Sequence, residues 1–432
     1  MKKKILFTLL LGTLWPVYGH AQKAFTLREC YDLAAARTAL AGEKASYADI
    51  SGLKENNIAK GWLPTLDANG SFIYNSSVID LSSALGSLPI PGIANAIKPL
   101  PHEQYKITVD INQVLYDGGT IKRARDLEKA GLKVSEKQTE ADIYKLRDQI
   151  NGYYFNIMLL EKQKDLLNNY HDLIVKKIKA MQSAADNGVI LKSDIDVLSS
   201  EKINLEQQLA ENLIRKTALL KVLSDITGTE IDSSARFVIP DVPGEVTINI
   251  NRPELQLFDL KKDQLDAGIK MLGSKRMPVA FGFATLGYGN PPGSNFFKNE
   301  FAPYYIVGAG VKWNIFDWNK VRNEKKISVL QENIIDDRKN DLTDNLKRQL
   351  EIKNAEIISL SKMLESDEGL ITLRKRITAA SESQYNNGTI TATEYLNQVT
   401  AERQAVLNYE IHKLNLVLAR VEYMNICGID PE

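Results

Sequence analysis

Hydrophobic positions recur along this chain with two different periods. From Leu27 to Lys60 the composition predicts helix, closed by Trp62-Leu63-Pro64 because proline disfavours helical geometry in the residue before it. Arg252 to Lys275 reads the same way, with Pro253 suited to a first turn and Pro278 ending the segment. The period then falls to two. Leu66, Ala68, Gly70, Phe72 and Tyr74 alternate with Asp67, Asn69, Ser71 and Asn75. Tyr105, Ile107, Val109, Ile111 and Leu115 alternate with Lys106, Thr108, Asp110 and Asn112. Tyr305, Val307, Val311, Trp313 and Ile315 alternate with Gly308, Gly310, Lys312 and Asn314, whereas Val279 to Gly289 is apolar and aromatic on both faces. Two proline-free stretches, Gly118 to Asp186 and Trp318 to Asn386, carry the helical period over 69 residues each. In the first, Ile143, Leu146, Ile150, Tyr153, Ile157 and Leu160 keep a spacing near 3.5, the mark of a coiled coil. At ~1.5 Å per residue each stretch predicts a helix about 100 Å long.

The pattern is duplicated. Tyr105–Gly228 superimposes on Tyr305–Gly428 at an offset of 200 without a gap, and Tyr105/Tyr305, Asp117/Asp317, Gln149/Gln349, Leu160/Leu360 and Gly228/Gly428 fall in register. Asn187-Gly188 and Asn387-Gly388 each end a long helix, since Asn and Gly accept left-handed geometry. The expected segments are a leader at 1–21, a helix of repeat 1 at 22–63, a strand pair at 64–117 with a loop at 77–104, and a helical hairpin at 118–228 with its tip at 187–188. A connector at 229–251 follows, with one short strand. Repeat 2 then runs as helix 252–277, strand pair 278–317 with a loop at 290–303, hairpin 318–428 with its tip at 387–388, and end 429–432. The fold class is mainly α with a small β part.

The first residues set a compartment. Lys2, Lys3 and Lys4 precede an apolar run from Ile5 to Leu14, and Gly19 and Ala21 stand at the −3 and −1 positions before Gln22, as in a cleaved secretory signal. No later stretch is long and apolar enough for a membrane helix, so any crossing must use strands. Strands of 11 or 12 residues suit a tilted span of a bilayer, and they equally suit a soluble sandwich. Four strands are too few to close a barrel, for which about eight is the minimum. Two copies supply eight and three supply twelve, the latter with room for a lumen.

Composition excludes more than it adds. Lys plus Arg (54) equals Asp plus Glu (54), so the basic face of a nucleic-acid binder is missing. Two cysteines, Cys30 and Cys427, exclude a disulfide framework and allow either one bridge or two buried thiols. His20, His102, His171 and His412 are scattered without metal-ligand spacing, and no catalytic motif or cofactor site emerges. Gly287-Tyr288-Gly289-Asn290 is followed by Pro291-Pro292 where a phosphate loop needs a helix, so it reads as a strand end.

Thr26-Leu27-Arg28-Glu29, Trp62-Leu63-Pro64, Leu115-Tyr116-Asp117-Gly118-Gly119 and Asn251-Arg252-Pro253-Glu254-Leu255, in that order within a duplicated chain, resemble the TolC-like outer-membrane efflux proteins. The tip sequences, Asn187-Gly188-Val189 to Val197-Leu198 and Tyr385-Asn386-Asn387-Gly388 to Glu394-Tyr395-Leu396, add to the likeness. The resemblance implies a homotrimer with a 12-strand barrel in outer-membrane lipid and a 12-helix periplasmic tunnel. It further implies a passive, non-enzymatic duct that docks on a periplasmic adaptor joined to an inner-membrane pump of RND, ABC or MFS type. A periplasmic helical-hairpin adaptor or scaffold is the alternative, and it fits two strand-bearing hairpins less well. The adaptor would meet the tips at Asn187, Gly188, Val189, Asn387, Gly388 and Thr389, and Pro64 and Pro278 would turn helix into strand. Asp194, Glu394, Asn397 and Tyr385 would form the gate, with the Tyr385 hydroxyl on Asp194. Without the family, Asp194 and Glu394 read as first-turn acids favoured by the helix dipole.

Overall fold

The computed structural model describes residues 24–79, 99–186, 191–243, 249–295 and 298–431. The leader, most of the 77–104 loop and the tip residues Asn187, Gly188 and Val189 lie outside them. The chain divides into two compact units, each drawn from both halves of the sequence.

The first unit comprises Met1–Thr38, Ile143–Ile250 and Lys347–Glu432. It holds β1 (Ala24–Phe25) and α1 (Leu27–Arg37), which Thr26 caps by accepting the Glu29 N–H at 3.1 Å. After α3 (Thr120–Tyr144), which belongs to the second unit but for its last two residues, the first unit continues with α4 (Leu146–Asp186), α5 (Lys192–Thr227) and β4 (Arg236–Phe237). The short strand expected in the connector is β4, and it pairs in parallel with β1. Tyr154, fully buried, fastens that pair: its hydroxyl donates to the Val238 carbonyl at 2.6 Å and accepts the Val238 N–H at 3.0 Å. Burial raises its pKa, so the phenol stays protonated. Lys216, nearly buried on α5, reaches Glu161 on α4 at 2.8 Å and the Ser233 carbonyl at 3.2 Å, so its charge is paired as burial requires. Cys30 and Cys427 are both buried free thiols.

The second unit comprises Ala39–Asp142 and Asn251–Leu346. Here α2 (Ala41–Ala59) and a 3-10 turn at Lys60–Trp62 lead through Pro64 into β2 (Thr65–Tyr74), which pairs with β3 (Glu103–Tyr116). α6 (Pro253–Ser274) leads past Pro278 into β5 (Val279–Asn290) and β6 (Ala302–Lys312). The strands form one antiparallel sheet in the order β2-β3-β5-β6, so the two repeats meet at β3 and β5. The register sorts the side chains. Rows such as Leu66–Ile111–Ala284–Val307 and Ala68–Val109–Leu286–Tyr305 make one face apolar. The row Asp67–Asp110–Thr285 makes the other polar, and Asp110 accepts from Asn69, Thr108 and Thr285. The poor alternation of β5 has a packing cause. A Cβ on Gly308 would lie 2.5 Å from Phe283, and one on Gly310 would lie 2.7 Å from Phe281, so both rings lie flat on glycine backbone of the next strand.

Three expectations need correction. The first helix is not continuous: Thr38 takes extended geometry (ψ 142°) and separates α1, which buries Leu27, Cys30, Tyr31 and Ala34, from α2, which buries only Ser51. The first long helix is broken at Lys145, where tertiary contacts override propensity: the Tyr144 hydroxyl donates to the Asn425 carbonyl at 2.7 Å, and the Arg147 guanidinium sits 4.3 Å from the Tyr144 ring. Its counterpart, α7 (Lys320–Asn386), runs 67 residues unbroken. Finally, β6 stops at Lys312, short of Trp313 and Ile315, and the Trp313 indole N–H donates to the Arg276 carbonyl at 3.1 Å.

The duplication extends to backbone geometry. α5 and α8 (Ala392–Cys427) have 36 residues each and end at Gly228 (φ 66°) and Gly428 (φ 80°). Before α3 the Asp117 carboxylate accepts the Gly119 and Ile121 N–H groups at 2.8 and 2.6 Å, and Asp317 accepts that of Val321 at 3.1 Å before α7. Two left-handed residues follow each Asp: Gly118 and Gly119 (φ 69° and 85°), and Trp318 and Asn319 (φ 53° and 63°). Gly118 cannot follow Trp318, because a Cβ there would stand 2.5 Å from the Met277 Cβ. Gly118→Ala should therefore cost at least ~2 kcal/mol, combining left-handed strain of about 1–2 kcal/mol with the clash. Gly52→Ala, in open space within α2, should stabilise by up to ~1 kcal/mol. Thermal unfolding of the two variants checks the contrast, and equal midpoints would contradict this turn.

Candidate functional site

The second tip is built by two complementary devices. α7 ends at Asn386, and Gly388 takes φ 70° so that its N–H meets the Tyr385 carbonyl at 3.0 Å while the Thr389 N–H meets that of Gln384 at 2.9 Å. This is a Schellman closure, satisfying carbonyls that a helix end leaves open. Thr391 then caps α8: it accepts the Glu394 N–H at 3.2 Å, and the Glu394 carboxylate accepts the Thr391 N–H at 2.8 Å. Asn387, Gly388 and Thr389 are exposed between the two devices.

That geometry assigns Glu394 a structural task. Its carboxylate, exposed to solvent, is held by the Thr391 backbone and hydroxyl, and those bonds lower its pKa. The first tip lacks the device, because Leu191 stands where Thr391 does and offers no side-chain cap to α5. Asp194, half-buried, thus has no capping partner among the described residues. Asn397 is exposed on α8.

Tyr385 does not bond Asp194. Its hydroxyl donates to the Met181 sulfur at 2.9 Å, and its ring stacks on Tyr395 with centroids 5.3 Å apart and planes within 6°. Burial first, and the Asp194 charge second, raise the Tyr385 pKa, so Asp194 acts on this phenol through space. Burial pushes Tyr395 up to about 12. Lys177 of α4 completes the group. Its ammonium lies 5.5 and 5.2 Å from the two ring centroids, and it donates to Glu382 at 3.1 Å and Asn386 at 2.8 Å. Below it, Leu167, Ile174, Met181, Leu198, Leu205 and Leu396 form a closed apolar cluster. One cation thus ties α4 to the last turns of α7 and the first turn of α8.

The sequence reading assigned no role at the tip to Lys177 or Met181, and it counted Tyr395 only as part of the tip motif. The positions 200 residues from Lys177, Tyr385 and Tyr395 hold Ile377, Ala185 and Ile195, so the duplication offered no signal for them. The one available clue was Tyr395 placed ten residues beyond Tyr385 across a helix-breaking turn. Among the described residues no His, Cys, Asp and Glu group is placed to hold a metal ion, and no helix is long and apolar enough to cross a membrane.

The energetic order of these contacts is testable. A thioether is a weak acceptor, so Tyr385→Phe should cost under ~0.5 kcal/mol. Lys177→Met removes a desolvated cation shared by two rings and should cost about 1–2 kcal/mol. Amide hydrogen exchange at the C-terminal turns of α7 should quicken in Lys177→Met and hardly change in Tyr385→Phe. Removing the cap by Thr391→Ala should loosen the start of α8 by ~1 kcal/mol. Because the Glu394 pKa is depressed, its support for this turn is present above the ordinary carboxylate range and is lost as pH falls through the lowered value.

No family model and no curated protein matches the sequence. Solved structures do. The Campylobacter jejuni CmeC outer membrane channel aligns with a TM-score of 0.63 at 14% identity, over 93% of this chain and 85% of that one. The Neisseria gonorrhoeae MtrE outer membrane channel, solved in its open state, gives 0.64 at 14%, over 93% and 89%. CusC, whose structures describe transmembrane channel formation, gives 0.68 at 11%, over 93% and 92%. At such identities the likeness is one of fold, and the chain has the fold of the TolC-like outer-membrane channels.

Proposed function

We propose that this chain is the outer-membrane channel of a tripartite efflux or secretion system, a passive trimeric duct that meets a periplasmic adaptor at its helix tips and receives cargo from an inner-membrane pump. The observation that carries this reading is the apolar sheet face. Ile107, Val307 and Tyr305 on it are 67%, 73% and 76% exposed, and no element of the chain among the described residues covers them. Aromatic side chains flank the face at both strand ends, with Trp62, Tyr116 and Trp313 at one and Phe72, Tyr74, Tyr105 and Tyr288 at the other. Such girdles bound the lipid-facing band of membrane barrels. Among the described residues the outer strands β2 and β6 each keep an unpaired edge, and three copies joined edge to edge give the twelve strands of an open lumen. A periplasmic adaptor would leave this face in water, which counts against that alternative.

In the trimer, three Asp194 carboxylates gather at the periplasmic mouth, while Lys177 and the Tyr385–Tyr395 stack hold the tip inward. Glu394 is removed from the gate by its capping role. Native mass measurement after outer-membrane extraction should give a trimer that heat converts to monomer, and a stable monomer would end this reading. In planar bilayers Asp194→Asn should weaken cation selectivity and Glu394→Gln should leave it near the parent value. Equal effects would return Asp194 to the role of a first-turn acid. Gly388→Val places a β-branched residue at φ 70° and should abolish export while trimer persists in the membrane.

A further inference from the structure

The apolar face is interrupted at its loop end by a cleft of about 280 Å³ lined by Tyr105, Lys106, Ile107, Tyr288 and Phe301. Phe301 forms its roof, with its ring 6.0 Å from that of Tyr105 and 5.9 Å from that of Tyr288, to which it is nearly parallel (22°). The roof is braced: the Asn299 amide donates to the Pro99 carbonyl at 3.0 Å, and the Asn290 amide donates to Asn299 at 3.2 Å. On its far side Tyr105 packs on Phe72 at 4.9 Å. We propose that this cleft is a specific seat for one acyl chain of an outer-leaflet lipid, a proposal that rests on the sheet spanning the membrane.

Three observations select that occupant. The cleft lies on β3 and β5, the two inner strands, so copies joining through β2 and β6 leave it facing outward. It opens on the apolar face, opposite Asp67, Asp110 and Thr285, so cargo moving along the polar face does not reach it. Its volume falls below the ~300–1,000 Å³ usual for drug-sized ligands, and its walls are almost wholly apolar, which suits a narrow alkyl chain.

The test uses the full trimer in detergent micelles, titrated with phosphatidylethanolamine carrying 9,10-dibromo acyl chains, which quench nearby indoles. Phe301→Trp places a reporter in the cleft, and Val307→Trp places one on the same face outside it. Quenching of Phe301→Trp should saturate near one lipid per chain, at a concentration at least ~10-fold below that needed for Val307→Trp, and adding Tyr288→Ala should erase the difference. Identical curves would overturn the seat while leaving the membrane reading intact. A Phe301→Trp indole that resists quenching while Val307→Trp responds would mean that chain from residues 80–98 or a neighbouring copy fills the cleft, and would also overturn it. Failure of both reporters to respond in bilayers made wholly of the brominated lipid would instead remove the membrane reading beneath it.

Discussion

Among the described residues the four-stranded sheet has two open edges and one uncovered apolar face, a combination that satisfies neither water nor hydrocarbon by itself. In water, the face built on Leu66, Ile107, Val307 and Tyr305 remains hydrated at a cost of ~25 cal/mol per Å² of apolar surface. In lipid, each unpaired N–H or C=O along β2 and β6 costs several kcal/mol. Both costs fall together only if the face meets lipid and the edges meet other copies of the same sheet. On the proposed function, that constraint would make assembly part of the fold. Joining the repeats at mid-sheet, through β3 and β5, leaves one edge from each repeat, β2 and β6, available for such pairing.

The polar face keeps its largest side chains low against the sheet. Phe281 and Phe283 lie flat over Gly310 and Gly308, where a Cβ would collide with the rings. Large aromatic groups are thereby kept against the sheet. Asp110, held by three donors from β2, β3 and β5, ties these strands across the same face. At the helix ends a related economy separates two carboxylates that the duplication makes equivalent. Thr391 turns Glu394 inward to its own backbone, whereas Leu191 offers Asp194 nothing comparable.

How much of this was legible in the sequence depended on whether the signal was local. Alternation of period two exposed three of the four strands, and Asn-Gly punctuation with the 200-residue offset exposed the hairpins. Gly228 and Gly428, with positive φ in both repeats, are where that offset has its clearest physical content. β5 was obscured because its phenylalanines pack on glycines of another strand, a contact that no local window contains. The break at Lys145 was invisible for the same reason: helix-forming residues surround it, and a distant partner, Asn425, meets the Tyr144 hydroxyl beside it. At the tip, Tyr385 was identifiable, but its partner was misjudged. Lys177 and Met181 lie more than 200 residues away and have no counterpart in the repeat.

The end of β3 shows how narrowly the faces are specified. Because side chains alternate strictly, a shift of one residue moves a whole strand to the wrong face. Without an irregularity, Leu115 would pair with Ala280, and Tyr116 with Val279, on the polar side. The register instead steps between Val114 and Tyr116, so that Tyr116 pairs with Ala280 in the row that continues to Val311. Leu115 stays close to Gly282 on the apolar side, 3.7 Å from where a Cβ would stand there. The bulge therefore puts Leu115 and Tyr116 side by side on one face, as a two-against-one step does. The residue so gained is a tyrosine at the strand end that also bears Trp62 and Trp313, where an amphipathic ring suits a boundary between hydrocarbon and water. A single extra residue thus completes the aromatic border without disturbing the ten pairs that β3 makes with β2.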